Sequence, residues 1–564
     1  MLATRVPVVD VDTIVIDSGA GGLAAALALA QAGDKVIVLE QHNAPGGWCQ
    51  SFELEGFRFS PGVHYLGQLA PGGELRRICE GMGVAEDLVF FELNRDGYDH
   101  LLLDDMRFDF PSGKQRLGDR LRHRFPAEGL AIAAYLDLVE KVRGELGVFP
   151  EVRGVWDALA IPYRTRHLVR YGLYSLKRTL ADRFRNPLLR AILSTTCGDY
   201  GLPPSKAIFA MHAAVTGHYS EGAFYPRGGG ASIPGAFIRA LRRVDGTIRL
   251  GTRAARILVE RTPRQWRAIG VRLADGSDIR ARRVVSNADP TVTYTRLVGS
   301  EYLSRGLKAK LGRTRYSTSA LSLFLGVDMD LAAMGFDSGN YWYSGGLDQE
   351  AAFEAMSRVD VLEREEFPGI FVSITTLKDP TRFDGRHHTI EAFTFVPYEA
   401  FRAYVSSGPR RPKAYVDLKA RLTAQLLKSI ERIIPGVSKS IVFNALGTPL
   451  TNVHYVGSTD GSIYGTEKSR GQVGPFSFPV TSEIAGLTLC GASTLSHGVM
   501  GAMMSGLAAA SSILGCRPSE LLRPSGQPVR TYLADDSREW PAWLLDSNPK
   551  TAEQARRATA HIVQ

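Results

Sequence analysis

The residues whose types and spacing first suggest chemistry are the six of DSGAGG, from Asp17 to Gly22. Small residues in such a turn let a ligand approach the backbone, and the N–H groups that start the following helix favour a phosphate. Glu40 follows about 20 residues later, where dinucleotide-binding folds place a carboxylate that accepts the ribose hydroxyls. We therefore predict that a bound dinucleotide lies against Asp17, Ser18, Gly19, Gly21, Gly22 and Glu40.

Asp17 departs from the usual pattern, because it stands where the GxGxxG turn has its first glycine. Its Cβ crowds a tight turn, and its carboxylate is expected near an anionic pyrophosphate. At about 4–6 Å in a partly buried site, this repulsion costs on the order of a few kcal/mol. Two outcomes stay open at this point. Either the carboxylate weakens dinucleotide binding, or the side chain turns away and the loss is small.

The elements that must position this turn are readable on either side of it. TIVI (13–16) and KVIVLE (35–40) are typical of buried strands, and LAAALALAQAG (23–33) is typical of a helix closed by glycine. Parallel strands need such a crossover helix, so the pattern predicts a βαβ unit. A second α/β piece begins near Gly228, and a strand at 487–491 leads into a small-residue helix from about Gly498.

Three longer segments carry a family resemblance. PGGWCQSFELEGFRFSPGVHYLG (45–67), the stretch 222–260 and LTLCGASTLSHGVMGAMMSGLAAA (487–510) resemble cofactor segments of the phytoene desaturase, carotenoid isomerase and retinol saturase family of flavoproteins. Within that family, the stretches 211–229 and 448–457 are most similar to the retinol saturase branch. The resemblance covers about residues 11 to 515 in the expected order. It implies FAD as the cofactor, and NAD(P)H is one electron donor left open.

The resemblance also implies the architecture. We expect an α/β fold in which a Rossmann-like FAD-binding domain of the glutathione reductase/amine oxidase type is interleaved with a mixed α+β substrate domain. The expected FAD-binding segments are 1–72, 222–299 and 441–516. The expected substrate segments are 73–221, which is also the membrane-facing part, and 300–440, and 517–564 is expected to be a polar tail.

The same resemblance implies further site residues. The cofactor-binding set gains Gly46, Gly47, Leu258, Gly491, His497, Gly498 and Val499. The helix after Gly498 directs its positive end at the flavin. Many of its side chains are small, so tight packing in a core is the other interpretation of this helix. Candidates for catalysis are His64, Tyr65, His218, Tyr219, Tyr225 and Arg227, although a lone His or Tyr is more often structural.

The expected activity is reduction of a C=C bond in a retinoid, carotenoid or related polyene, because a dry apolar channel beside a flavin suits such a substrate. Two alternatives stay open. One is desaturation or cis–trans isomerisation of a carotenoid, since the direction depends on redox partners. The other is a lipid-binding pseudoenzyme that lost FAD through Asp17.

Composition narrows the remaining classes. Of 564 residues, 44% are hydrophobic and 22% are charged, which is typical of a globular chain of several domains. The formal charge is +9, but zinc-finger spacing and dense basic tracts are absent, so we expect no nucleic-acid partner. The five cysteines form no CxxC pair, which indicates neither a metal site nor a disulfide framework and favours a cytoplasmic compartment. The sequence does not indicate an oligomeric state.

Membrane contact is a further expectation. The amino terminus lacks a secretory pattern, and no apolar run approaches the roughly 18 residues of a membrane-spanning helix. Residues 155–185 mix Arg and Lys with Leu, Tyr and Val, which is typical of a basic amphipathic helix lying in a membrane interface. An ordinary solvent-facing helix of the substrate domain is the alternative.

Overall fold

The computed structural model describes residues 10–104, 106–149, 154–405, 412–524 and 526–547, with the side chains of 154–158 left out. The helices within these ranges are α1 Ala20–Gln31, α2 Glu74–Gly81, α3 Lys114–Arg124, α4 Gly129–Leu146, α5 Gly154–Arg164, α6 Arg166–Tyr171, α7 Leu176–Ala181, α8 Pro187–Leu193, α9 Phe209–His218, α10 Ser232–Arg243, α11 Arg305–Arg313, α12 Gln349–Met356, α13 Thr375–Lys378, α14 Lys413–Glu431, α15 Pro449–Val456, α16 Gly498–Leu514 and α17 Ala542–Leu545.

The strands are β1 Val11–Ile16, β2 Val36–Leu39, β3 Phe52–Leu54, β4 Phe57–Phe59, β5 Val89–Glu92, β6 Asp99–Leu103, β7 Met106–Phe110, β8 Phe224–Pro226, β9 Thr247–Arg249, β10 Ala254–Arg261, β11 Trp266–Leu273, β12 Asp278–Ser286, β13 Ser319–Val327, β14 Asn340–Ser344, β15 Gly369–Ile374, β16 His388–Val396, β17 Ile441–Gly447, β18 Leu487–Leu489 and β19 Arg530–Leu533. They form two seven-stranded sheets, a three-stranded sheet and a hairpin of β3 and β4.

The predicted βαβ unit is confirmed. β1 and β2 pair in parallel, with Ile14 opposite Ile37, and α1 crosses between them. Alanine and leucine line α1 on every side, so its residues from Gly21 to Ala30 are all buried. α16 packs directly against α1: a Cβ on Gly506 would lie 2.1 Å from the Gly21 carbonyl oxygen. This contact brings the last cofactor segment onto the first.

The first large sheet draws its strands from three distant parts of the chain. Its parallel core runs in the order β18-β12-β1-β2-β9, and β10 and β11 extend it as an antiparallel ribbon. The carboxyl ends of β1, β2, β12 and β18 meet at one edge. In open α/β sheets that edge is where ligands bind.

The second large sheet is mixed and has the order β17-β13-β16-β15-β14-β6-β7. α14 covers one face of it, with Leu422, Leu426 and Ile430 fully buried. The expected boundary at residue 440 is wrong in detail, because β17 at 441–447 pairs with β13 in this sheet. The chain returns toward the first sheet only after α15.

The end of the chain corrects the expectation of a polar tail. β19 pairs in parallel with β5, which pairs on its other side with β8. Trp540 packs on Phe91 with ring centroids 5.1 Å apart, and Leu544 is fully buried beside them. An apolar cluster therefore fastens this segment to the body of the protein. Residues 548–564 of the expected tail lie outside the described residues.

The stretch 155–185 also differs from the expectation of one amphipathic helix. It forms α5, α6 and α7, and the backbone leaves helical geometry at Thr165 (φ −126°, ψ 38°). Leu176 is fully buried, so it is a core residue. Among the helices that the structure describes, none is both long enough and apolar enough to cross a membrane.

Candidate functional site

A single cavity of about 1740 Å³ extends from the edge of the first sheet to the surface near α5 and α6. This volume exceeds the roughly 300–1,000 Å³ of an ordinary ligand pocket. Its first branch passes Asp17, Gly19 and Glu40, and its second branch reaches Leu168 and Leu173. Fourteen of the predicted site residues line it: Asp17, Gly19, Gly21, Glu40, Gly46, Gly47, His64, Tyr65, His218, Tyr219, Gly491, His497, Gly498 and Val499.

The turn after β1 is built around Asp17. Its φ of 76° lies in the left-handed region, which is costly for a residue with a Cβ. The carboxylate accepts hydrogen bonds from the Gly19 backbone N–H at 3.0 Å and from the Asn287 side-chain amide at 2.7 Å. Burial first, and then the charge of Glu40, raise the pKa of Asp17 to about 7. An acidic side chain therefore occupies a backbone donor at the helix end where a phosphate would bind.

Glu40 connects the turn after β1 with the loop after β2. One carboxylate oxygen accepts from the Ser18 hydroxyl at 2.6 Å and from the Ser18 N–H at 3.1 Å. The other accepts from the His42 N–H at 2.9 Å, and the Ser18 hydroxyl accepts from the Gly46 N–H at 3.0 Å. Glu40 is thus a support of the turn as well as an acceptor that faces the cavity.

The residues of this branch fit an extended dinucleotide such as FAD. A Cβ on Gly21 would lie 2.6 Å from Asn287 Oδ1 and 2.8 Å from the Ala502 carbonyl oxygen, and Gly47 has a φ of 55°, so both positions favour glycine and leave the backbone of this branch without side chains. Among the described residues, six buried polar atoms of cavity-lining residues lack a hydrogen-bond partner: His42 Nε2, His64 Nδ1, Arg143 Nε, Ser458 Oγ, Ser462 Oγ and His497 Nδ1. Bound polar ligand groups would satisfy them.

The amino end of α16 forms another part of the wall. Gly498 (φ 73°) begins the helix, and a Cβ there would meet no atom within 4 Å, so the backbone faces open space. His497 Nε2 lies 3.0 Å from the Asp199 carbonyl oxygen, which can only accept, so this nitrogen carries the proton. Burial lowers the pKa of His497 to about 3, which leaves Nδ1 as a bare acceptor at the cavity.

His64 stands at the junction with the second branch. Its Nδ1 lies 3.1 Å from a carboxylate oxygen of Glu391, a residue of β16 that is 1% exposed. Its ring packs against both Phe371 and Phe393, at centroid distances of 5.1 and 5.4 Å. A buried carboxylate therefore lies beside an imidazole on the wall of the cavity.

Tyr65 and Tyr219 are stacked with ring centroids 4.3 Å apart. The Tyr65 hydroxyl lies 2.7 Å from Asp199 and 3.3 Å from Asp99. Lys378 lies behind Tyr65, fully buried, and donates to the His64 carbonyl oxygen at 2.7 Å and to Asn340. Burial lowers the pKa of Lys378 to about 7.

The other predicted residues lie partly on the cavity wall and partly away from it. His218 lines the cavity, and its Nε2 accepts the Gly67 N–H at 2.9 Å, while burial and then the charge of Arg143 lower its pKa to about 4. Five predicted residues are outside the lining: Ser18, Gly22, Tyr225, Arg227 and Leu258. Arg227 lies over the Trp543 ring at 5.4 Å. Leu258 belongs to the antiparallel ribbon of β10 and β11, and only the first residues of that ribbon line the cavity.

Several site residues are absent from the sequence prediction. Asn287, Asp199 and Glu391 carry no motif, and only long-range folding brings the first two to the cavity and Glu391 to His64. Lys468 is 3% exposed and donates to the Ala492 carbonyl oxygen, directly behind the third cofactor segment. Burial lowers its pKa to about 7. Lys468 stands in a glycine-containing loop, five residues after Ile463. The neighbouring sequence gives no sign that its side chain is buried behind this segment.

Comparisons with known proteins agree with this geometry. Residues 20–514 match the family described as flavin containing amine oxidoreductase. The all-trans-retinol 13,14-reductase of Danio rerio is 31% identical over 83% of this chain and 79% of the relative. The chloroplastic prolycopene isomerase of Daucus carota is 25% identical over 88% of this chain and 78% of the relative.

Solved structures share the fold. An oxidoreductase from Methanosarcina mazei superposes with a TM-score of 0.58 at 17% identity, over 89% of this chain and 100% of the other. At that identity the likeness shows the fold alone. It agrees with the expected α/β architecture of the amine oxidase type.

Proposed function

The chain belongs to the flavin-containing amine oxidoreductase family, and from that premise we propose that it uses FAD to saturate a C=C bond of a long apolar polyene, of the retinoid or carotenoid class. Two names among its relatives point to this substrate class: one is a retinol 13,14-reductase and the other is a prolycopene isomerase. The reaction adds two hydrogens across one double bond.

The observation that supports this proposal best is the continuity of the cavity. The branch that fits a dinucleotide opens without interruption into a branch walled by Trp342, Phe371 and Phe393. Aromatic faces suit a flat conjugated chain, and few polar groups are needed to bind a hydrocarbon. A polyene in the second branch would therefore meet the end of a dinucleotide in the first.

The residues that would hold FAD are those of the first branch. Glu40 would accept the ribose hydroxyls, the turn at Gly19 and Gly21 would approach the pyrophosphate, and the amino end of α16 would face the flavin ring. Bound FAD would supply the electron pair for the reaction. The chain's own residues would orient the polyene, exclude water and provide the proton.

The electron donor and the membrane contact are parts of the same proposal. NAD(P)H is one candidate for the donor. The second branch opens among exposed apolar side chains of α5, α6 and the loop after them, here called the entrance face: Leu159, Tyr163, Val169 and Leu173, which are 66%, 86%, 66% and 44% exposed. Arg164, Arg166 and Arg170 flank them without an ion pair among the described residues. We propose that this face rests on a membrane surface, from which an insoluble substrate enters; a cytoplasmic location stays a prediction.

Two specific observations each support a different alternative function. The prolycopene isomerase relative favours cis–trans isomerisation, which needs no net electron transfer to the product. The Asp17 carboxylate in the phosphate position favours a lipid-binding protein without cofactor.

One experiment separates these functions. The purified protein is titrated with FAD, and the flavin absorption spectrum shows whether it binds. The holoprotein is then chemically reduced without oxygen and mixed with all-trans-retinol or with a cis-carotene. Saturation shortens the conjugated system, moves the polyene absorption to shorter wavelength and reoxidises the flavin in equal amount. A change of geometry at constant product mass and constant flavin redox state would establish isomerisation instead, and no flavin binding would leave the lipid-binding function.

A further inference from the structure

Behind the aromatic wall lies a buried acid cluster, formed by Asp99, Asp199, Tyr65 and Lys378. The Tyr65 hydroxyl oxygen is 2.7 Å from Asp199 Oδ1 and 3.3 Å from Asp99 Oδ2. A phenol carries one proton, so it can donate to one carboxylate. Its contact with the second is favourable when that carboxyl group carries a proton of its own. The geometry therefore stores at least one acidic proton in this cluster.

The two carboxyl groups have different surroundings. Asp99 accepts from the Asn340 side-chain amide at 2.8 Å and from the Trp342 indole at 3.3 Å, and Lys378 is bound to the other end of Asn340. These groups prepare Asp99 to carry a negative charge. Asp199 has a single side-chain partner among the described residues, the Tyr65 hydroxyl, whose oxygen accepts the Asp199 proton while its own proton points to Asp99. The poorer solvation of Asp199 places the stored proton on that residue.

The electrostatics agree with this assignment. Burial first, and then the charge of Asp99, raise the pKa of Asp199 well above its ordinary value. Burial also raises the pKa of Asp99, but the amide of Asn340 and the charge of Lys378 act against it. A proton shared through Tyr65 therefore moves toward Asp199.

The position of Asp199 gives this proton a use. Asp199 lines the cavity, whereas Asp99 is 4% exposed and lies behind Tyr65. The other candidate acids nearby are less suited. His218 and His497 have lowered pKa values, because burial disfavours their charged forms. His218 Nε2 already accepts a backbone N–H, and His497 presents an unprotonated nitrogen.

We propose that Asp199 is the catalytic acid of the C=C reduction and that Tyr65 and Asp99 form its reprotonation relay. This inference rests on the function proposed above. One alkene carbon receives a hydride from the reduced cofactor, which is thereby oxidised by two electrons. The other carbon receives the proton of the Asp199 carboxyl group, so that two C–H bonds form and one π bond breaks. Asp199 then takes the Tyr65 proton, the Asp99 carboxylate takes a proton from solvent, and Asp99 passes that proton to Tyr65.

The stored proton is tested on the protein without FAD. A protonated carboxylic acid has a C=O stretch in the infrared that a carboxylate lacks. At neutral pH the difference spectrum of wild type minus Asp199→Asn should contain this band. The control Asp182→Asn removes an exposed carboxylate beside Arg178, and its difference spectrum should lack the band. A difference spectrum of Asp199→Asn without the band would overturn the assignment of the proton.

The catalytic role is tested on reduced holoenzyme with all-trans-retinol. A general acid contributes roughly 10²–10⁴-fold, so Asp199→Asn should slow single-turnover saturation by at least about 10²-fold with flavin content unchanged. Tyr65→Phe keeps the acid and breaks the relay. It should keep most of the single-turnover rate and lose steady-state turnover, a split that simple loss of structure would not produce.

The outcomes separate this inference from the proposed function. Wild-type saturation at a rate that Asp199→Asn retains would overturn the role of Asp199 and leave the function standing. Absence of saturation in the wild type, with flavin bound, would overturn the function and the catalytic role together, while the infrared band would still decide where the proton lies. If Tyr65→Phe slows the single-turnover rate and the steady-state rate equally, the relay is wrong.

Discussion

The Asp17 carboxylate and the Asn287 side-chain amide are joined by a hydrogen bond of 2.7 Å, which connects the turn after β1 to the end of β12. The same carboxylate binds the N–H of Gly19. The protein thus places a carboxyl group at the end of α1, where dinucleotide-binding folds place a phosphate group. Competition between the two anions gives the first two predictions.

Replacing Asp17 with glycine should tighten FAD binding by tenfold or more, equivalent to ~1.4 kcal/mol. The replacement removes the repulsion, and it also relieves the positive φ of 76°, which glycine adopts at little cost. Titration of the FAD-free protein by flavin fluorescence measures the dissociation constant. Equal constants in Asp17→Gly and wild type would mean that the carboxylate moves aside when FAD binds.

The affinity for FAD should fall as the pH rises through about 7. Burial raises the pKa of Asp17 to about 7, so its side chain is neutral below that pH and repels the pyrophosphate above it. Asp17→Asn keeps the shape and cannot ionise, so its affinity should vary much less between about pH 6 and pH 8. Parallel pH profiles for the two proteins would assign the dependence to another group.

Glu40→Ala should lower both the flavin content and the melting temperature. The substitution strands three donors, the N–H and hydroxyl of Ser18 and the N–H of His42, and each unsatisfied buried donor costs about 1–3 kcal/mol. Glu40→Gln retains an acceptor oxygen and should lose less stability. Loss of flavin at an unchanged melting temperature would make Glu40 a ligand residue without a structural role.

Gly506→Ala should destabilise the protein by roughly 1–3 kcal/mol, because the new methyl group would meet the Gly21 backbone and push α16 away from α1. Gly312→Ala in α11 is the matched control. A Cβ there meets no atom within 4 Å, and this helical glycine should gain about 0.5–1 kcal/mol when replaced. Thermal unfolding of the three proteins measures the difference. A stable Gly506→Ala protein with full flavin content would show that the two helices have room to separate.

The entrance face should bind anionic vesicles, more strongly at low salt. Val169→Asp with Leu173→Asp should release the protein, because each apolar side chain withdrawn from water contributes about 1.5–3 kcal/mol and each flanking cation about 1 kcal/mol. Val442→Asp, on the edge strand β17 and 49% exposed in the wild type, is the control for an added surface charge. Co-sedimentation measures the bound fraction. Equal release by the control variant would remove the entrance face from the interaction.

The fold could be predicted where local pattern decides it. The strand–helix–strand unit around DSGAGG is predictable, because two short apolar runs flank a glycine-rich turn and an Ala/Leu-rich helix. Few other secondary structures fit that pattern. The stretch 155–185 is expected to form one helix, and the structure breaks it at Thr165, which is itself fully buried, so tertiary packing outweighs the local periodicity there.

The cofactor turn could be read from its motif, but its partners could not. Asp99 and Asp199 stand a hundred residues apart and meet only through Tyr65, and Glu391 reaches His64 from the second sheet. Such pairs depend on the packing of distant strands, for which neighbouring residues carry no signal. The same holds for β19, a four-residue strand that is defined only by its pairing with β5.

That late strand has a consequence for how the chain is made. β5 leaves the ribosome more than four hundred residues before its partner at Arg530–Leu533 exists, so the Phe91 side chain stays uncovered through almost the whole of synthesis. Closing so long a loop must wait until residues 530–533 have been made, and exposed edges of this kind attract chaperones or neighbouring chains. A premature stop just before Arg530 would therefore yield a chain that contains every cofactor motif and leaves β5 without this partner.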